Sequence, residues 1–130
     1  MNRAPSSVPY FPAFFDLQGR KVLVAGGDSA SAAKAAAFAE AGARVVLASP
    51  FPGPEALALA PGVKVARRGW LFGDLIDCFL ACAGPNLPQG GAERLANAAA
   101  AAGALFYAVD RPALSDFSSG SAVRRGALSI

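Results

Sequence analysis

Lys21-Val22-Leu23-Val24-Ala25-Gly26-Gly27-Asp28-Ser29-Ala30-Ser31 decides the fold. After Lys21, four apolar positions in a row, Val22 to Ala25, are the signature of a strand buried on both faces, as in the interior of a parallel sheet. Two glycines end the run. Ser29 to Ala41 then reads as an alanine-rich helix, with Gly42 in the C′ position that a left-handed residue favours. Arg44 to Ala48 is a second strand. Strand, glycine turn, helix and strand in this order form a βαβ unit, whose connection is right-handed.

The alternation continues along the chain. Ser49 to Gly53 is a loop, Pro54 to Ala60 a short helix and Val63 to Arg67 a third strand. Leu71 to Ile76 reads as a helical turn and Cys78 to Ala83 as a fourth strand. The glycine- and proline-rich stretch Gly84 to Gly91 is a loop, Ala92 to Ala102 a helix closed by Gly103, and Leu105 to Val109 a fifth strand. Ser118 to Arg124 and Ala127 to Ile130 form a hairpin with Arg125-Gly126 at its turn. The predicted fold is α/β: a Rossmann-like, doubly wound parallel sheet with a C-terminal β-hairpin, filling residues 1–130 as one domain.

Composition narrows the function classes. Of the 130 residues 54% are hydrophobic and 16% charged, so neither a disordered tail nor a coiled coil fits. No apolar run is long enough for a membrane span, and Met1 to Asp16 lacks the pattern of a signal peptide. A cytoplasmic protein is expected. The chain has no histidine, which removes the usual metal-ligand combinations, and no metal site is expected. A net charge of +3 is too small and too scattered to imply nucleic acid. Cys78 and Cys82, four apart in one strand, are expected on the same face, some 13 Å apart and therefore unbridged.

The turn after the first strand is a partial dinucleotide fingerprint. The pattern Gly-x-Gly-x-x-Gly/Ala uses its second glycine to let backbone approach a diphosphate, which rests on the helix N-terminus. Here Gly26 is in place and Ser31 supplies a small third position, but the second is Asp28. No acidic residue lies between Arg44 and Pro54 to hold a ribose hydroxyl. The turn is equally readable as a plain strand-to-helix junction capped by Asp28 or Ser29.

From Tyr10 to Ile130 the chain resembles the N-terminal domain of the siroheme synthase family, the precorrin-2 dehydrogenases and sirohydrochlorin ferrochelatases. The resemblance rests on Tyr10-Phe11-Pro12-Ala13-Phe14-Phe15-Asp16-Leu17-Gln18-Gly19-Arg20, Val22 to Gly27, Lys34 and Glu40 to Val45. It extends through Phe79 to Ala83, Val109-Asp110-Arg111-Pro112, Phe117 and Val123 to Leu128. It implies NAD as cofactor and oxidation of precorrin-2 to sirohydrochlorin. In bifunctional members ferrous insertion follows. By that resemblance Asp110 is the catalytic carboxylate. Gly26, Gly27, Ser29, Ala30, Pro50 and Phe51 line the dinucleotide, and Arg111, Arg124 and Arg125 meet the tetrapyrrole carboxylates.

Three positions depart from the family pattern. Asp28 replaces a glycine, Pro85-Asn86 replaces Thr-Asp in a loop one residue longer, and Tyr107 replaces an asparagine. The sequence also ends before the family's dimerisation segment. Either it is a piece of a longer chain, which would then be a homodimer, or it lacks the half-site a partner supplies. Two rival readings therefore stay open: a non-catalytic member binding a tetrapyrrole or a protein, and an unrelated nucleotide-binding module.

Overall fold

A computed structural model describes residues 11–118 of the chain. The elements run β1 (Lys21–Ala25), α1 (Ser29–Glu40), β2 (Arg44–Ala48), α2 (Pro54–Leu57) and β3 (Lys64–Ala66), then a 3-10 turn (Phe72–Leu75), β4 (Cys78–Ala83), α3 (Gly91–Ala102) and β5 (Leu105–Ala108). The strands form one sheet in the order β3-β2-β1-β4-β5. Every pairing in it is parallel. The expected doubly wound sheet is present. The predicted C-terminal hairpin, with Arg124 and Arg125, lies outside the described residues.

β1 shows why the sheet needs cover on both faces. Val22 and Val24 point to one side, where they pack with Val45, Leu47 and the small residues Ala32 and Ala35 of α1. Leu23 and Ala25 point to the other, where Ala92, Leu95 and Ala99 of α3 meet them. Leu23, Leu47, Leu80 and Leu95 are buried almost completely. Each contributes about 1.5–3 kcal/mol relative to exposure. Alanines on the buried stripes of both helices bring the helix axes close to the sheet.

On the α1 side, Ala32 and Ala35 share a cluster with Leu80 and Cys82, and Lys34 Nζ lies 5.1 Å from the centroid of the Tyr107 ring. The aromatic lead-in completes this cover. Phe15 stands edge-on to Phe79 at 5.7 Å and to Phe117 at 5.0 Å, and Phe117 stacks on Tyr107 at 5.3 Å. Tyr107, at a position that departs from the family pattern, is thus part of this packing.

Two expectations need correction. α2 ends at Leu57 rather than Ala60, and the turns that follow carry the chain to a β3 of only three residues. The cysteines do not share a face: Cys78 packs on the α3 side and Cys82 on the α1 side. The reason is a register shift. Lys21 pairs with Cys78 but Val22 with Leu80, so Phe79 is an extra residue that breaks the two-residue alternation. Both thiols are nonetheless free and buried, as expected.

Candidate functional site

In an open α/β sheet the strand order reverses at one point, and a crevice opens there beyond the carboxyl ends of the strands. Here the reversal falls between β1 and β4, because β2 and β3 lie to one side of β1 and β4 and β5 to the other. Gly26 leaves β1 and Gly84 leaves β4 at this point. The ladder carries on into the turn, since Gly84 N–H donates to Ala25 O at 2.8 Å and Gly26 N–H to Ala48 O at 3.0 Å.

Both glycines are required by one neighbour, Ser31. A Cβ at either position would collide with Ser31 Oγ, and Gly26 also has φ +138°, a conformation that L side chains rarely adopt. Ser31 is wholly buried, and its hydroxyl has no hydrogen-bond partner. It stands in the gap between the two glycines, beneath the floor of the crevice. Ser31 was legible as the small third position of the fingerprint, but its buried, unpaired hydroxyl was not.

Asp28 is the N-cap of α1: its Oδ1 accepts from the Ser31 N–H at 3.0 Å. Its other oxygen, Oδ2, accepts from Asn86 Nδ2 at 2.6 Å. Two of the three departures from the family pattern are therefore one contact, which joins the start of α1 to the loop after β4. Ser29 and Ala30 open the helix beside it. The loop after β2 folds back on the glycine turn, with Gly53 N–H donating to Gly27 O at 2.8 Å. A Cβ on Gly27 would stand 2.7 Å from Pro52 Cα and 3.0 Å from Phe51 O. Phe51 N–H donates to Ser49 Oγ at 3.1 Å, while the residue is 89% exposed. Pro50 is exposed beside it. The structure thus gathers Gly26, Gly27, Ser29, Ala30, Pro50 and Phe51 around one turn.

Asp110 follows β5 on the same edge of the sheet, two strands from β1 and so roughly 10 Å along it. It is exposed and adopts a left-handed conformation, φ +61°. Outside glycine, this region is populated mainly by Asn and Asp. Ser115 secures the turn: its Oγ accepts from Ala108 N–H at 2.9 Å and donates to Arg111 O at 3.0 Å or Ala108 O at 3.2 Å. Arg111 turns to α3 and pairs with Glu93 at 2.7 Å. That pair holds the Glu93 carboxyl below its ordinary range. It is half exposed on both sides, so it contributes little to stability and can exchange for another anion. A cavity of about 180 Å³ lies between the loop after β4, the start of α3 and Arg111. Ser115 is a residue that sequence reasoning missed; nothing in its spacing marks it.

A family model described as "Putative NAD(P)-binding" matches residues 13–121. The chain belongs to this family. A siroheme synthase from Pseudomonas putida (strain W619) is 37% identical over 107 residues, covering 81% of this chain and 23% of that protein. One from Ectopseudomonas mendocina (strain ymp) is 35% identical over 105 residues, with 81% and 22% covered. The chain therefore spans under a quarter of the length of the curated relatives it matches. Among solved structures, SirC, a precorrin-2 dehydrogenase, aligns with a TM-score of 0.56 at 24% identity over 62% of this chain and 41% of that one. The apo-structure of D-lactate dehydrogenase from Escherichia coli aligns with a TM-score of 0.60 at 23% identity over 88% and 34%. These two likenesses establish the doubly wound fold. The resemblance to siroheme synthases holds over most of the chain. Among the described residues no helix is long and apolar enough to cross a membrane, and no cluster of potential metal ligands occurs.

The crevice fits a nicotinamide dinucleotide in its frame and opposes it at one point. Three glycines at the switch point let Ser31 and the loop after β2 pack closely against the turn, and the unpaired Ser31 hydroxyl lies against two of them. The N–H group of Ser31, which a diphosphate would use, is already taken by Asp28.

Proposed function

We propose that this domain oxidises precorrin-2 to sirohydrochlorin with NAD as the hydride acceptor, in the cytoplasm, and that residues 1–130 act as one catalytic domain. Supporting this are the siroheme synthase resemblance over 81% of the chain and the dinucleotide-binding family. The observation that carries the catalytic assignment is the setting of Asp110: an exposed carboxylate on a turn fastened by Ser115, at the strand end where such sheets place ligands. Gly26, Gly27, Ser29, Ala30, Pro50 and Phe51 hold the dinucleotide. A bound nicotinamide supplies the hydride acceptor. Asp110 takes the proton that accompanies hydride loss. The same carboxylate would receive a pyrrole N–H proton if ferrous iron enters the product. Arg111, released from Glu93, meets a tetrapyrrole carboxylate together with Arg124 and Arg125, and a longer natural chain would pair as a homodimer.

The test is Asp110→Asn. Asparagine keeps the shape and tolerates the left-handed conformation, so only the proton-accepting charge is lost. NADH production from freshly made precorrin-2 should fall by about 10²–10⁴, with an unchanged melting temperature. Activity that survives the substitution refutes the assignment.

A second reading is favoured by the Asp28–Asn86 contact: a member that binds a tetrapyrrole or a protein partner without catalysis. A folded wild type that binds sirohydrochlorin but produces no NADH would establish it.

A further inference from the structure

We propose that Asn86 is a positioning residue that sets dinucleotide affinity by holding the Asp28 carboxylate across the mouth of the crevice. The inference rests on the dinucleotide reading of this site and deepens it.

Three observations converge on the same few ångströms. The Asp28 carboxylate occupies a free N–H group of the first turn of α1, and it lies where the helix dipole favours an anion. It is an internal substitute for the diphosphate a dinucleotide would bring. Asn86 fixes it there: the Nδ2···Oδ2 distance of 2.6 Å is short, as expected of a hydrogen bond to an ionised acceptor. The donor comes from the loop after β4, so the contact spans the two elements whose separation makes the crevice. Beneath it lies the wholly buried, unpaired hydroxyl of Ser31, in the gap between Gly26 and Gly84. Ordinary packing leaves few such groups without a partner. A buried polar atom without a partner and a carboxylate–amide contact at the surface thus lie together at the switch point.

The contact carries charge discrimination. A ligand with a diphosphate has to displace a carboxylate from the same N–H group and approach it closely, whereas a neutral nucleoside does not. Asn86 acts only through Asp28. With its amide removed, the carboxylate is free to turn toward solvent, where its charge is screened.

The experiment is a double-mutant cycle, Asp28→Gly, Asn86→Ala and the pair, with affinities for NAD, ADP and adenosine measured by titration calorimetry. Glycine is a tolerated N-cap, so α1 is retained, and thermal melts verify this. Asp28→Gly should tighten NAD and ADP by about tenfold or more, as expected on removing a close like charge. Asn86→Ala should tighten them by a smaller factor and add nothing in the Asp28→Gly background. Adenosine should bind alike throughout. In parallel, one Asn86 side-chain amide proton should be shifted downfield and protected from exchange in the wild type, and lose both properties in Asp28→Gly. Equal contributions of Asn86→Ala in both backgrounds, or weaker diphosphate binding on its removal, would overturn the proposal by making Asn86 a direct ligand group. A crevice that binds no dinucleotide even with Asp28→Gly, while the amide signal confirms the contact, would overturn both this proposal and the dinucleotide reading. Wild-type affinity unchanged by every variant would overturn this proposal alone.

Discussion

Replacing Ser31 by alanine should stabilise the protein, although the residue is wholly buried where Gly26 and Gly84 meet. The hydroxyl is fully removed from water and meets no acceptor or donor. Leaving such a group unsatisfied costs about 1–3 kcal/mol. Removing it leaves a void of one oxygen atom, which costs about 0.3 kcal/mol at the usual rate per unit of cavity volume. The balance is a gain of about 1 kcal/mol or somewhat more, or roughly 3–6 °C in melting temperature for a domain of this size. Urea unfolding and calorimetry at neutral pH, without ligand, measure it. A midpoint that stays put or falls would refute the reasoning, because the hydroxyl would then have a partner. The same contact predicts a coupling. Gly84→Ala should destabilise by about 1–3 kcal/mol through overpacking, chiefly against Ser31 Oγ. In the Ser31→Ala background that penalty should shrink, whereas strictly additive effects would show that the two residues are not in contact. The consequence is functional as well, since this junction sets how closely the first turn of α1 approaches the crevice.

Two further outcomes follow from charged and buried groups elsewhere. Asp74 accepts two hydrogen bonds from Arg68, at 2.8 and 2.9 Å, and a third from Leu71 N–H at 2.8 Å. The guanidinium holds its carboxyl below the ordinary range. The unfolded state therefore binds the proton more readily, so the contribution is full above the ordinary carboxylate range and fades as acid titrates the folded carboxyl. Asp74→Asn should cost about 1 kcal/mol at neutral pH, solvent screening included. In acid unfolding the difference from wild type should vanish, and a constant offset would be the contrary result. Burial pushes the Cys82 thiol up to about 12. Under native conditions at pH 8 it should resist iodoacetamide for as long as the fold persists, and rapid alkylation without loss of structure would contradict its burial.

Much was settled by local pattern. The apolar run of β1, the alanine helices with Gly42 and Gly103 behind them, and the spacing of the strands specify a doubly wound parallel sheet, because buried strands, helix caps and glycine turns are recorded in adjacent residues. The candidate positions at the glycine turn came from the resemblance to the siroheme synthase family rather than from local pattern. That Asp28 or Ser29 would cap α1 followed from residue type, and the structure selects Asp28.

Tertiary structure decided what depends on residues far apart in sequence. The partnership of Asp28 with Asn86 joins positions 58 residues apart, and each alone reads only as a departure from a pattern. The cysteines occupy opposite faces because one extra residue, Phe79, is absorbed in the pairing of β4 with β1. Strand alternation cannot register this until the partner strand is known. Ser31 looks like a small residue in a turn until Gly26 and Gly84 close on it from two strands. Ser115 becomes the fastening of Asp110 only when the chain after β5 folds back to Ala108. Sequence specifies periodic burial because its causes are local. The geometry of the crevice arises from pairing, register and closure between strands, which exist only once the sheet has formed.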